Sequence, residues 1–132
     1  YVILSQGIVM PREILDPKNI HASIQKIVSD QHADIITEVK EAVANNAIVI
    51  VGMAQNPAPK RARKVLDELN IDYHYLEYGS YFKEWRRRNA LKMWTGWSTF
   101  PIIFVKGTLI GGSSDMRALI DAGELDTLLN SD

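Results

Sequence analysis

Apolar residues recur at helical spacing along the first third of the chain. Asp16-Pro17 is typical of a helix start, because an acidic N-cap precedes proline at the first helical position. The apolar face of this first predicted helix consists of Ile20, Ile24, Ile27 and Val28. A second predicted helix has a face made of Ile35, Ile36, Val39 and Val43. We interpret residues 1–46 as an N-terminal helical extension.

The pattern then alternates between short apolar runs and helical spacing. The β-branched run over 47–51 predicts a strand buried on both faces. A helix is expected over 60–69 and a strand over 71–77, followed by a helix that Ser80 caps and that ends near Trp94. Two strands joined by a helix should pair in parallel through a right-handed crossover.

The last third predicts a hairpin and two short helices. Pro101 begins a strand, Lys106-Gly107 forms a tight turn, and a returning strand covers 108–110. Ser113 is expected to cap a helix that ends before Gly123, and a final helix covers 124–129. The order predicts an α/β domain over 47–132, with a central four-stranded mixed sheet flanked by helices.

Composition narrows the function classes. The chain has 132 residues, which suits one compact domain, and its 15 basic and 16 acidic side chains give a net charge of −1. We therefore expect neither a nucleic-acid nor a membrane partner. No apolar stretch approaches the ~20 residues that cross a bilayer. The absence of cysteine and of an export signal at the first residues favours a cytoplasmic location.

Several segments in the second half carry a family resemblance. Thr99-Phe100-Pro101 precedes an apolar strand, and Trp97 lies just before it. The segment Arg88-Asn89-Ala90-Leu91-Lys92 lies upstream, and Gly111-Gly112-Ser113-Ser114-Asp115 follows the hairpin. In this order they resemble a glutaredoxin, a member of the thioredoxin superfamily. The arrangement is closer to monothiol glutaredoxins, although Ser98 replaces the first proline of their Trp-Pro-Thr-Phe-Pro run. The resemblance implies a thioredoxin-like fold.

The resemblance also locates the family's redox site, where this chain has no thiol. Glutaredoxins carry Cys-Pro-x-Cys or Cys-Gly-Phe-Ser between the first strand and its helix, where the helix N-terminus lowers the thiol pKa. By position, Asn56 replaces the nucleophilic cysteine and Pro59 the second one, while Pro57 matches the family's proline. An amide cannot form a mixed disulfide or supply a thiolate to an iron–sulfur cluster. We expect no catalytic residue, no metal site and no cluster.

The binding residues of the family are better represented. The resemblance implies a cis peptide bond before Pro101, which exposes the backbone of Phe100 to an extended ligand such as glutathione. It also implies that Gly112 and Ser114 bind the γ-glutamyl carboxylate through backbone N–H groups, and that Asp115 meets its amino group. Alternatively, Ser113 and Asp115 only cap a helix, and Pro101 merely starts a strand.

Two cations complete the implied site. Arg88 and Lys92 match an arginine and a lysine of monothiol members and could bind the glycine carboxylate of glutathione. Met53 stands where glutaredoxins usually have a further lysine. The run Arg86-Arg87-Arg88 is also typical of a solvated helix face. The three histidines show no metal-ligand spacing.

Three hypotheses follow. The first is a redox-inactive, glutaredoxin-like binding module for glutathione, a peptide or a protein partner. The second is a structural protein with an empty groove, in which the stripe Ile20, Ile24 and Ile27 either packs on the sheet or forms a homodimer. The third is a glutathione-dependent thiol–disulfide oxidoreductase, by homology alone. We favour the first.

Overall fold

The computed structural model describes residues 12–131 of the chain. The expectation about an export signal concerns the first residues, which lie outside this range. The elements are a 3-10 turn over Pro17–Asn19, α1 (Ala22–Asp30), α2 (Ala33–Asn45), β1 (Ile48–Gly52), α3 (Pro57–Glu68), β2 (His74–Glu77), α4 (Trp85–Thr95), β3 (Ile102–Val105), β4 (Thr108–Gly111), α5 (Ser113–Asp121) and α6 (Glu124–Leu129).

The four strands form one mixed sheet, as the sequence predicted. Their order is β2-β1-β3-β4. β1 pairs in parallel with β2 and antiparallel with β3, and β4 pairs antiparallel with β3. The fold is therefore thioredoxin-like, with β1 and β3 in the centre and buried along their whole length.

Alternation along β1 divides the core between the two faces of the sheet. Val49 and Val51 pack on one face together with Ile35 of α2 and Leu91 of α4. The other face of the sheet has its own buried cluster, formed by Ile48, Ile50, Ala62, Leu66, Ile103, Val105, Met116 and Leu125. Helices therefore cover both faces, which explains why the apolar run of β1 is continuous.

The chain divides into a unit up to Ala33 and a larger unit from Asp34 onward. α1 belongs to the first unit and buries none of its residues. α2 belongs to the second unit, where Ile35 and Val39 are fully buried. The domain boundary that we placed at residue 46 stays a prediction.

Several helix starts differ from the predicted ones for local reasons. α3 begins at Pro57 rather than residue 60, because the Asn56 side chain accepts a hydrogen bond from the Ala58 N–H at 3.0 Å. α4 begins at Trp85, because Ser80 exchanges backbone hydrogen bonds with Lys83 in a tight turn instead of capping a helix. The cap of α5 is Gly112 rather than Ser113.

The first predicted helix is two elements. Asp16 caps only the 3-10 turn, through a hydrogen bond from the Lys18 N–H at 3.0 Å. α1 starts separately at Ala22, with His21 accepting from the Ser23 N–H at 3.1 Å. A helical period alone did not reveal this break.

Candidate functional site

The N-terminus of α3 holds Asn56 and Pro59, the residues that the family resemblance matches with the two cysteines. Asn56 is half-buried, and its side-chain oxygen is used to cap the helix. Pro57 is exposed at the first helical position, and Pro59, two residues further along, is buried. This end of α3 therefore offers an amide and two pyrrolidine rings, none of which attacks a disulfide.

Pro59 packs where β1 and α3 approach each other closely. A Cβ atom built on Gly52 would lie 2.8 Å from Pro59 Cβ and 2.9 Å from the Tyr75 hydroxyl oxygen. Only glycine fits at this contact without a shift of its neighbours. The position of the second cysteine is thus filled by a proline ring beside a tyrosine.

Tyr75 forms a small polar cluster at the edge strand. Its hydroxyl donates to Glu77 at 3.0 Å, and the Arg63 guanidinium lies 4.0 Å above its ring. Burial and the hydrogen bond to Glu77 raise the pKa of Tyr75 to about 12. Arg63 Nε is buried and has no hydrogen-bond partner among residues 12–131. The sequence did not predict this cluster.

The predicted groove is centred on Pro101. The Phe100–Pro101 peptide bond is cis, and both residues are buried. Lys92 Nζ lies 5.6 Å from the centre of the Phe100 ring, which is a cation–π distance. The structure therefore brings Lys92, Phe100 and Pro101 together.

The start of α5 lies beside the same proline. A Cβ atom built on Gly112 would be 3.5 Å from the Pro101 carbonyl oxygen. The Gly112 N–H donates to Asp115 Oδ2 at 2.9 Å, so the Asp115 carboxylate caps the helix. Ser114 and Asp115 are both exposed to solvent. The capping alternative is thus observed for Asp115, and the exposure leaves room for a ligand.

Trp97 supports this corner and was noted in the sequence only as a family marker. A Cβ atom on Gly111, whose φ is +106°, would lie 3.0 Å from Trp97 Cη2. The indole nitrogen is buried and lacks a hydrogen-bond partner within the described part of the chain. In the sequence, Trp97 lies two residues before Thr99, within the segment that carries the family resemblance.

Arg88 is placed differently from Lys92. Its side chain is buried, and Nη1 donates to the carbonyl oxygens of Tyr78 at 2.9 Å and Lys83 at 2.5 Å. Burial lowers the pKa of this guanidinium. Arg88 therefore braces the segment before α4. Met53, in the usual position of a lysine, is buried in the core.

Within residues 12–131, no three His, Cys, Asp or Glu side chains are grouped so that they could hold a metal ion. No helix in the same range is long and apolar enough to span a bilayer.

Comparisons with known proteins agree on one family. The glutaredoxin family model matches residues 48–110. A glutaredoxin-like protein of Dictyostelium discoideum is 45% identical over 114 residues, which cover 86% of this chain and 91% of that protein. The mitochondrial glutaredoxin-2 of Rattus norvegicus is 33% identical over 100 residues, covering 72% of this chain and 60% of the rat protein.

A solved structure shares the fold. The buckwheat glutaredoxin–glutathione complex superposes with a TM-score of 0.65 and 24% identity, covering 76% of this chain and 91% of the buckwheat chain. At 24% identity, the match shows that the two proteins share a fold.

Proposed function

Because the chain belongs to the glutaredoxin family, we propose that it is a binding module that keeps the family's fold and groove without thiol–disulfide exchange. Its ligand is an extended molecule, with glutathione as the first candidate and a peptide or protein segment as the second. A cytoplasmic location belongs to the same proposal and is based on the lack of cysteine.

The absence of a thiol is the observation that most strongly supports this proposal. The chain contains no cysteine, and Asn56 and Pro59 occupy the two positions where the family has its thiols. Exchange requires a thiolate that attacks a disulfide sulfur, and cluster ligation in this family also uses a thiolate. We therefore expect neither glutaredoxin activity nor a bound iron–sulfur cluster.

Three features support a retained groove. The buried Phe100–Pro101 pair lies near the exposed start of α5, since a Cβ atom built on Gly112 would be 3.5 Å from the Pro101 carbonyl oxygen. The early backbone N–H groups of α5 suit a carboxylate. The buckwheat glutaredoxin of the same fold was solved with glutathione, which makes this tripeptide the natural first ligand to test.

Lys92 is the cation on which binding should depend. Met53 supplies no charge, and the Arg88 guanidinium is engaged with two backbone carbonyl groups. Lys92 is half-buried, and its amino group lies beside the Phe100 ring at the proposed groove. We expect the glycine carboxylate of glutathione to contact Lys92. The affinity should be weak, because neither position 53 nor Arg88 offers a second cation to this carboxylate.

The decisive experiment is an NMR titration of the full chain with reduced glutathione. We expect shifts at Phe100, Gly112 and Ser114, and a several-fold weaker affinity for Lys92→Gln. Lys106→Gln is the matched control, since Lys106 is exposed in the turn of the β3–β4 hairpin. If no shifts occur near Pro101 at millimolar glutathione, the glutathione version is wrong.

The unburied apolar face of α1 supports a second candidate, a homodimer formed through this helix. Ile24, Ile27 and Val28 are exposed to 45%, 64% and 49%. Sedimentation at several concentrations tests this candidate, with Ile27→Ser expected to abolish any dimer. A monomer at every concentration would reject it.

A further inference from the structure

The turn between β2 and α4 displays three aromatic side chains. Tyr81, Phe82 and Trp85 are exposed to 54%, 91% and 50%. Aromatic residues and arginine are enriched in the interaction sites of folded domains. We call residues 81–86 the aromatic turn.

The aromatic turn is held rigidly from inside the domain. Ser80 and Lys83 exchange backbone hydrogen bonds of 3.3 and 3.1 Å. The buried Arg88 guanidinium donates to the carbonyls of Tyr78 and Lys83. A buried cation thus fixes a turn whose own aromatic rings stay in water, and a rigid surface loses less entropy on binding.

The aromatic turn lies at the same end of the sheet as the start of α3. β1 and β2 are parallel, so the segments that follow them leave from one edge. Two hydrogen bonds join these segments, from the Tyr78 N–H to the Gly52 carbonyl at 3.0 Å and from the Ala54 N–H to the Gly79 carbonyl at 2.8 Å.

This end of the molecule carries positive charges that have no acidic partner. Among residues 12–131, ion pairs are absent for four exposed cations at this end, namely Lys60, Arg61, Lys83 and Arg86. The neighbouring carboxylates are engaged, Glu77 with Tyr75 and Glu84 with Arg87.

The charge order along α3 opposes the helix dipole. Lys60 and Arg61 lie in its first half, and Asp67 and Glu68 lie at its end, which is the reverse of the order that the dipole favours. These charges therefore do not stabilise the helix through its dipole.

We propose that the aromatic turn and the basic start of α3 form a docking surface for an acidic segment of a partner protein that also carries apolar side chains. Because the surface carries unpaired cations, charge complementarity favours a partner segment with a negative charge. A nucleic acid is a less suitable partner. Domains that bind nucleic acids are usually strongly basic overall, whereas this chain has a pI near 6.3. The surface does not require glutathione in the groove.

A fluorescence-polarisation titration of the full chain tests this surface. The probe is a labelled short peptide alternating Asp or Glu with Leu or Phe. Matched peptides replace its acids with lysine, or its apolar residues with glycine. We expect only the acidic, apolar peptide to bind, with weaker binding at high salt.

Variants locate the binding surface. Phe82→Ser should weaken binding about tenfold, as loss of an interface anchor does, and the double variant Lys83→Gln with Arg86→Gln should reduce the salt dependence. The controls are Leu69→Ser and Lys106→Gln, at the end of α3 and in the far hairpin turn, which should change affinity less than about twofold.

Other outcomes would overturn the proposal. Equal binding of the lysine peptide, or binding of a single-stranded oligonucleotide but not of the acidic peptide, would assign the surface to another ligand. Self-association that Phe82→Ser abolishes would make a second copy of this chain the occupant. Absence of peptide binding at millimolar protein would also contradict the proposal.

Discussion

Arg86, Arg87 and Arg88 are consecutive in sequence, but their side chains have different surroundings. Arg86 is exposed, Arg87 forms an ion pair with Glu84 at 2.9 Å, and Arg88 is buried under the turn before α4. A solvated face was the ordinary interpretation of such a run. In the folded domain, however, Arg88 is packed inside and donates hydrogen bonds to the backbone.

Arg88→Met should lower the free energy of unfolding by about 1–3 kcal/mol, because two backbone carbonyl groups lose their donor. Arg86→Met is the matched control and should change stability by less than about 0.5 kcal/mol, since its side chain is exposed. Urea denaturation measures both. Equal stability of the two variants would contradict the bracing role.

Tyr75 should make stability depend on pH in the alkaline range. Its pKa is raised from 10.0 to about 12, so the neutral phenol is favoured in the folded state. Its stabilising contribution is complete below pH 10 and is lost as the pH rises toward 12, because the unfolded chain ionises first. Urea denaturation across this range should show a shallower decline for Tyr75→Phe than for the natural chain. An identical decline would show that the raised pKa has no effect on folding.

At the scale of elements, the contact between β1 and α3 fixes the candidate site. Helices pack closely on a sheet only where side chains leave room. Gly52 ends β1 directly against Pro59, and this contact places the first turn of α3 relative to the sheet.

Gly52→Ala should destabilise the domain by about 1–3 kcal/mol, since the added methyl group would meet Pro59 and Tyr75 at less than 3 Å. Gly112→Ala provides the contrast, because its Cβ would have ordinary contacts beginning at 3.5 Å. Thermal unfolding compares the two variants. A larger loss for Gly112→Ala would mean that the β1–α3 contact is not tight.

For the molecule as a whole, a glutaredoxin fold is combined with a sequence that contains no thiol. The fold supplies a helix N-terminus and nearby cations in the place where the family stabilises a thiolate. If only the reactive atom is missing, then adding one sulfur should restore reactivity without other changes.

Asn56→Cys should therefore give a thiol with a pKa below the ordinary value near 8.5. Alkylation rates against pH measure it cleanly, because the chain has no other cysteine. Ser29→Cys, near the end of α1, is the control and should react as an ordinary thiol.

The natural chain should be inactive in a glutathione-dependent disulfide reduction assay. Activity comparable to an ordinary glutaredoxin would overturn the proposed function.

The sequence by itself determined the element types of the larger unit, the mixed sheet and the family. Strong apolar periods specify buried faces, and the run over 47–51 became the central strand β1. The absence of a thiol is also a sequence fact, since no fold can supply an atom that the chain lacks.

Only the tertiary structure decided which polar side chains lie at the proposed groove and which stabilise the fold. Arg88 and Lys92 had the same predicted role, yet one is buried under a turn and the other lies beside Phe100. The stacking of Arg63 on Tyr75 also depends on packing between α3 and β2, and the aromatic turn depends on the buried side chain of Arg88 in α4. Local patterns report burial along one element, whereas these roles arise from the distances between elements.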